Sequence, residues 1–283
     1  MSLAYSPRSL AEAHEALARG ATKVAGATDL MVLDHAAGRE HACVLNVLGI
    51  AELQGIRLTP EGLDLGAAST FTRIRGSEDV VRHAPLLVEA ARTIGAAQIQ
   101  NRATLGGNIA NASPAGDSLP ALLALNARIV MAGPAGRRTI AYDAFHTGYR
   151  TTVLRADELI ERVIVPLPTP TLQVFRKVGT RAAQAISKVV VALSANRREG
   201  ALTDVRLAMG SIAAVPTRLV EVEALISSGP LNPDLADRAA SLIERTIAPI
   251  DDIRSTAEYR RHVAGQVVRR ILLSLLETPP PSL

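Results

Sequence analysis

The sequence predicts an α+β protein. Strands and helices mix along the chain without the strict strand–helix alternation that builds a doubly wound sheet. The two longest segments with helical periodicity, 233–248 and 258–277, both fall at the C-terminal end. Between the strand-rich half and this end, Pro166-Leu167-Pro168-Thr169-Pro170 punctuates the chain. That cluster is the natural boundary between two units, and 283 residues suffice for one large domain or two to three smaller ones.

The elements follow in order. Ser9 with Glu12 three residues later is a capping box. Leu10, Ala13 and Leu17 mark one helical face, and Gly20 stops the helix. A short strand at Lys23-Val24 runs into Gly26, and residues 30–37 read as a helix. Residues 44–47 read as a strand, and 56–58 with 63–67 as a hairpin around Pro60-Glu61-Gly62. A helix starts near Thr70. Residues 85–98 are strongly helical, with Leu86, Leu87, Ala90, Ala91 and Ile94 as the apolar stripe and Gly95 as the stop. Pro120 sits at a helix-starting position before an apolar run to Ala127. Residues 128–132 read as a strand, 133–136 as a turn and 138–140 as the return. The segment 142–151 is loop-rich, and 159–166 is a strand. Beyond the proline cluster, 172–178, 185–197 and 205–212 read as strands or long apolar segments. Helices follow at 218–227, 233–248 and 258–277, and residues 279–283 read as a frayed tail.

Composition excludes several classes. Hydrophobic residues are 48% and charged residues 20%, enough for a core and inconsistent with global disorder. Aromatic residues are only 2%, without Trp, so nothing here forms a stacking platform for nucleic acid. The net charge of +4 is spread as isolated Arg residues and short pairs, which read as solvated faces or helix ends. A single cysteine, Cys43, excludes an internal disulfide and a Cys-based metal site. The six histidines are scattered without ligand spacing, so no metal site is expected. No signal-peptide pattern and no apolar run of membrane-spanning length are visible. A soluble cytoplasmic protein is the expectation.

One stretch is out of character: residues 103–117, with Thr104, Gly106-Gly107-Asn108, Ser113-Pro114 and Asp117. It has no sustained period of two or of 3.6, so it is neither a plain strand nor a plain helix. Paired glycines let a backbone approach a ligand and turn its N–H groups outward, which makes an anion site. Short neutral donors and one acceptor suit a phosphate with a polar group beyond it. A Gly-Asn surface loop is the alternative. The small-residue turn after Lys23-Val24 is a possible second phosphate contact, or an ordinary strand-turn-helix joint. Neither loop is a Gly-x-Gly-x-x-Gly fingerprint or a Walker loop.

Together the two loops resemble those of the medium, FAD-binding subunit of molybdenum hydroxylases, the xanthine dehydrogenase and aerobic carbon monoxide dehydrogenase type. The resemblance rests on residues 24–30, on Thr104-Leu105-Gly106-Gly107-Asn108 and on Ser113-Pro114-x-x-Asp117. The opening Tyr5-Ser6-Pro7, the stretch 148–152, Phe175-Arg176-Lys177 with Arg181, and Tyr259-Arg260 with Arg269-Arg270 extend it along nearly the whole chain.

The resemblance implies a two-part FAD-binding domain of the PCMH/vanillyl-alcohol-oxidase-like type over residues 1–168, with subdomains of about 1–53 and 54–168. A smaller α+β domain would follow over 171–280. It implies that Val24, Ala25, Gly26, Ala27, Thr28, Asp29 and Leu30 hold the FAD pyrophosphate from one side. Thr104, Gly106, Gly107 and Asn108 would hold it from the other. Asp117 would bond toward the adenosine end, and Ile94 and Ile160 would make apolar contacts. Lys177 would lie near the flavin ring, where a cation offsets the negative charge gained on reduction. No catalytic acid or base is implied. The chain would be an electron-transfer oxidoreductase subunit, passing electrons through FAD to an external acceptor. Its partners would be a small subunit with [2Fe–2S] clusters and a large molybdopterin subunit, in a dimer of heterotrimers. A stand-alone FAD-dependent NAD(P)H reductase and a non-flavin assembly protein of the same fold are the alternatives. Two positions depart from the family pattern: Ala27 replaces a glycine, which strains the residue if its φ is positive, and Gln184-Ala185 stand where some members carry a Tyr beside the ring.

Overall fold

The computed structural model describes residues 3–277, so the predicted tail at 279–283 lies outside the described residues. The chain opens with β1 (Leu3–Tyr5), α1 (Leu10–Ala18), β2 (Thr22–Val24), α2 (Leu30–Ala37) and β3 (Cys43–Asn46). These form a three-stranded parallel sheet in the order β1-β3-β2. The capping box forms in an altered way: Ser9 Oγ accepts from Glu12 N at 3.3 Å, and Glu12 reaches back to Arg8 N at 2.9 Å. Leu10, Ala13 and Leu17 of α1 pack with Leu45, Ile50 and Leu53, as the helical stripe predicts.

The next part contains β4 (Ile56–Thr59), β5 (Gly62–Gly66), α3 (Phe71–Gly76), α4 (Glu78–His83), α5 (Pro85–Thr93) and α6 (Ala97–Gln100). Then come α7 (Leu105–Asn111), α8 (Ser118–Ala124), β6 (Arg128–Gly133), β7 (Gly136–Ala141), the small hairpin β8 (His146–Gly148) and β9 (Thr151–Thr152), and β10 (Leu159–Val165). The large sheet is antiparallel with order β4-β5-β10-β6-β7. The helix expected over 85–98 is shorter and ends before Ile94, because Gly95 takes φ +54. The buried Gln100 side chain donates to the carbonyls of Arg92 and Ile94 and so closes that helix end.

The last part holds β11 (Leu172–Val178), β12 (Val189–Arg198), β13 (Ala201–Gly210), β14 (Thr217–Arg218), α9 (Val220–Ile226), α10 (Pro233–Thr246) and α11 (Ala257–Glu277). The strands make an antiparallel sheet in chain order. Strand β12 is buried on both faces, and its period-two alternation shows why. Val190 and Ala192 join the core beneath α8, while Val189, Val191, Leu193 and Ala195 join the core under the three helices. The strand expected at 185–197 therefore starts four residues later, after a loop at 179–187.

Candidate functional site

Residues 103–117 are not one loop. Leu105–Asn111 is helix α7, with Thr104 as its N-cap: Thr104 Oγ1 accepts from Gly107 N at 3.1 Å. A Gly-Gly pair weakens a helix by about 1 kcal/mol per glycine; capping and packing override this. A Cβ on Gly106 would lie 2.7 Å from the Cβ of Ala67, so its missing side chain serves close packing of α7 on residue 67. The amides of this stretch do not all point outward. Leu105 N donates to Ser69 O, Gly106 N to Ala67 O and Asn108 N to Thr104 O.

The turn after β2 behaves differently. The N–H groups of Gly26 through Leu30 donate to no other group of the described chain, as expected at the start of a helix. They lie ahead of α2, whose N-cap Asp29 makes no side-chain cap bond. Gly26 presses against the backbone before α7: a Cβ there would lie 2.1 Å from Arg102 O. A Cβ on Gly107 would come within 3.8 Å of the Cβ of Ala25. The two small-residue segments thus face each other at close range, and only glycine permits it at residue 26. Ala27 adopts φ +63, so the strain foreseen for a non-glycine residue is present.

Between them lies a cavity of about 310 Å³. All of Val24, Ala25, Gly26, Ala27, Thr28, Asp29 and Leu30 line it, as do Ile94, Thr104, Gly106, Gly107, Asn108 and Ile160. Its lining combines the free amides of Gly26 through Leu30 with apolar groups such as Leu33, Leu53, Ile99 and Ile160. That combination suits a ligand with an anionic middle and an apolar part.

Asp117 and Lys177 are not on this wall. They pair with each other, Nζ to Oδ2 at 2.6 Å, with side chains 6% and 12% exposed. Ser187 Oγ donates to the other carboxylate oxygen, and Thr93 Oγ1 donates to Asp117 Oδ2 at 3.2 Å. Lys177 also donates to Thr93 O at 2.9 Å, next to the wall residue Ile94. Burial pushes the Asp117 carboxyl above its ordinary value, and Lys177, Ser187 and Thr93 pull it back. The expectation that Asp117 serves the adenosine end and Lys177 the ring separates two side chains that touch. Gln184 takes φ +51 in the exposed part of the 179–187 loop, where its carbonyl accepts from Arg181.

The sequence reading missed Lys23, the one cation of the cavity lining. Its Nζ donates to Glu158 O at 2.7 Å and Arg155 O at 3.1 Å, tying β2 to the approach to β10. Burial lowers its pKa, against the pull of Asp157 and Glu158. Its place directly before the Val24 turn was the available signal. Among the described residues no group of His, Cys, Asp and Glu could hold a metal ion, and no helix is long and apolar enough to cross a membrane.

Residues 1–168 match the family model described as FAD binding domain in molybdopterin dehydrogenase. Residues 174–275 match the CO dehydrogenase flavoprotein C-terminal domain. The chain is 31% identical to the xanthine dehydrogenase FAD-binding subunit of Escherichia coli O157:H7 over 88% of its length and 86% of that protein's. It is 34% identical to the glyceraldehyde dehydrogenase medium chain of Sulfolobus acidocaldarius over 78% of each. In structure it resembles the carbon monoxide dehydrogenase of Hydrogenophaga pseudoflava in a form lacking the Mo-pyranopterin moiety. There the TM-score is 0.90 and the identity 27%, over 95% of both chains.

Proposed function

The chain belongs to the FAD-binding medium subunits of the molybdenum hydroxylase family, and from that premise we propose that its cavity holds FAD between residues 24–30 and the start of α7. The observation that carries this is the row of partnerless amides at Gly26 through Leu30 in a cavity that Thr104 and Gly107 also line. Such a row is where a pyrophosphate is stabilised, by N–H donors and by the positive end of α2. Thr28 adds a hydroxyl and Asn108 a carboxamide. Ile94 and Ile160 shield the apolar part of the cofactor from water.

When bound, FAD supplies the carrier that takes electrons from [2Fe–2S] clusters of a partner subunit to an external acceptor. The residues of this chain hold and orient it, and no residue here acts as a general acid or base. Asp117 and Lys177, being one ion pair, serve the same end of the cofactor. We assign both to the ring end, behind Thr93 and Ile94. Residues 1–168 form the FAD-binding domain, in subdomains of about 1–53 and 54–168, and 171–280 the second domain. We propose that the assembly joins a small iron–sulfur subunit and a large molybdopterin subunit in a cytoplasmic dimer of heterotrimers; the single cysteine of this chain cannot itself ligate an iron–sulfur cluster.

Co-purification of the tagged chain from its native cell, with mass spectrometry of the intact complex, tests the assembly. The expected result is FAD together with two further subunits carrying iron–sulfur clusters and molybdopterin. Recovery of the chain alone, with FAD bleached directly by NAD(P)H, would establish the stand-alone reductase instead.

A further inference from the structure

We propose that Ser118 is a positioning residue that sets the polarity of the cavity by turning the Asn108 side chain. Ser118 is fully buried at the start of α8. Its hydroxyl lies 2.6 Å from Asn108 Oδ1. A carboxamide has one accepting end and one donating end. If Asn108 were turned the other way, its NH₂ would donate to Ser118, and the buried hydroxyl proton would have no acceptor, because Asn108 Oδ1 is the one partner recorded for it among the described residues. Buried hydroxyl groups are satisfied as a rule. The hydroxyl therefore fixes the oxygen of Asn108 and leaves its NH₂ as the end available to the cavity that Asn108 lines.

Ser118 is itself held in place. The preceding residue, Asp117, is bound by Lys177, Ser187 and Thr93. Strand β11, the end of α5 and the loop before β12 thereby anchor the residue that orients a cavity group on α7. A cavity so polarised selects a ligand that presents an acceptor oxygen at Asn108, such as a diphosphate or ribityl oxygen. This selection rests on the FAD reading above.

The test measures FAD affinity of the full chain in the wild type and in Ser118→Ala, Asn108→Ala, Asn108→Asp and the Ser118→Ala/Asn108→Ala double variant. Each alanine variant is expected to bind FAD about tenfold more weakly, the worth of one hydrogen bond made well or badly. The double variant should bind no worse than Asn108→Ala, because Ser118 acts only through Asn108. Asn108→Asp, which keeps the accepting oxygen and removes the donor, should bind no better than Asn108→Ala. A further tenfold loss in the double variant would reduce Ser118 to a general structural role. Asn108→Asp binding as tightly as the wild type would overturn the donor orientation. Wild-type affinity in Ser118→Ala, with the wild type binding FAD, would overturn this inference alone. A wild-type chain that takes up no FAD would overturn the cofactor reading, and this inference with it.

Discussion

Lys177 reaches across 60 positions of sequence to place its ammonium 2.6 Å from the Asp117 carboxylate. Both side chains are nearly enclosed, and the contact joins β11 to the start of α8. Removing one partner of such a pair leaves a buried charge uncompensated, which typically costs about 3–5 kcal/mol. Lys177→Met should lose stability of that order in urea unfolding at neutral pH. The Lys177→Met/Asp117→Asn double variant should recover most of it. The pH dependence has a definite sign. The folded pKa of Asp117 is raised, so its favourable contribution is complete below the unfolded value and is lost as pH rises through the folded one. Without Lys177 the rise is larger, so the deficit of Lys177→Met should shrink as the pH is lowered.

Ala27 holds φ +63 in the turn that lines the cavity. An alanine there carries about 1–2 kcal/mol of left-handed strain that glycine does not. Part of this is offset because glycine loses more conformational freedom on folding. Ala27→Gly should raise the urea midpoint by a net stabilisation of about 1 kcal/mol or less and retain FAD. Ala27→Val should lower both the midpoint and FAD occupancy.

His146 is held near pKa 4 by burial. Its Nε2 lies 3.1 Å from the Tyr142 hydroxyl, and its Nδ1 is buried without a partner. The folded protein keeps this ring neutral while the unfolded chain takes up a proton near its ordinary value of 6.5. Stability from this site is complete above that value and falls as pH drops toward 4. Glu158 acts in a lower window. Arg138 holds its carboxyl near 2, so its contribution is complete above 4.5 and is lost as pH falls toward 2. Urea midpoints at pH 7 and pH 5 should therefore differ less in His146→Gln than in the wild type.

Both faces of the cavity were legible in the sequence, because glycines and hydroxyl residues interrupt otherwise apolar periodicity at 26 and at 104–108. The helical state of residues 105–111 was not, because local propensity argues against a Gly-Gly helix. Its stability comes from the Thr104 cap and from packing of Gly106 on Ala67, a partner almost forty positions away. Leu53 and Ala67 were missed as lining residues for the same reason: sheet pairing and chain reversal bring them to the cavity, not any local spacing. The Asp117–Lys177 contact has no sequence signature at all.

The most direct test of the central claim is FAD titration of the cofactor-stripped chain, read by flavin absorbance and fluorescence, for the wild type and Gly107→Val. A side chain at residue 107 meets the capping oxygen of Thr104 at 2.9 Å and grows toward Ala25. One FAD per wild-type chain and none in Gly107→Val is expected, with the segment 172–277 still folded by limited proteolysis. Full FAD occupancy in Gly107→Val would contradict the claim.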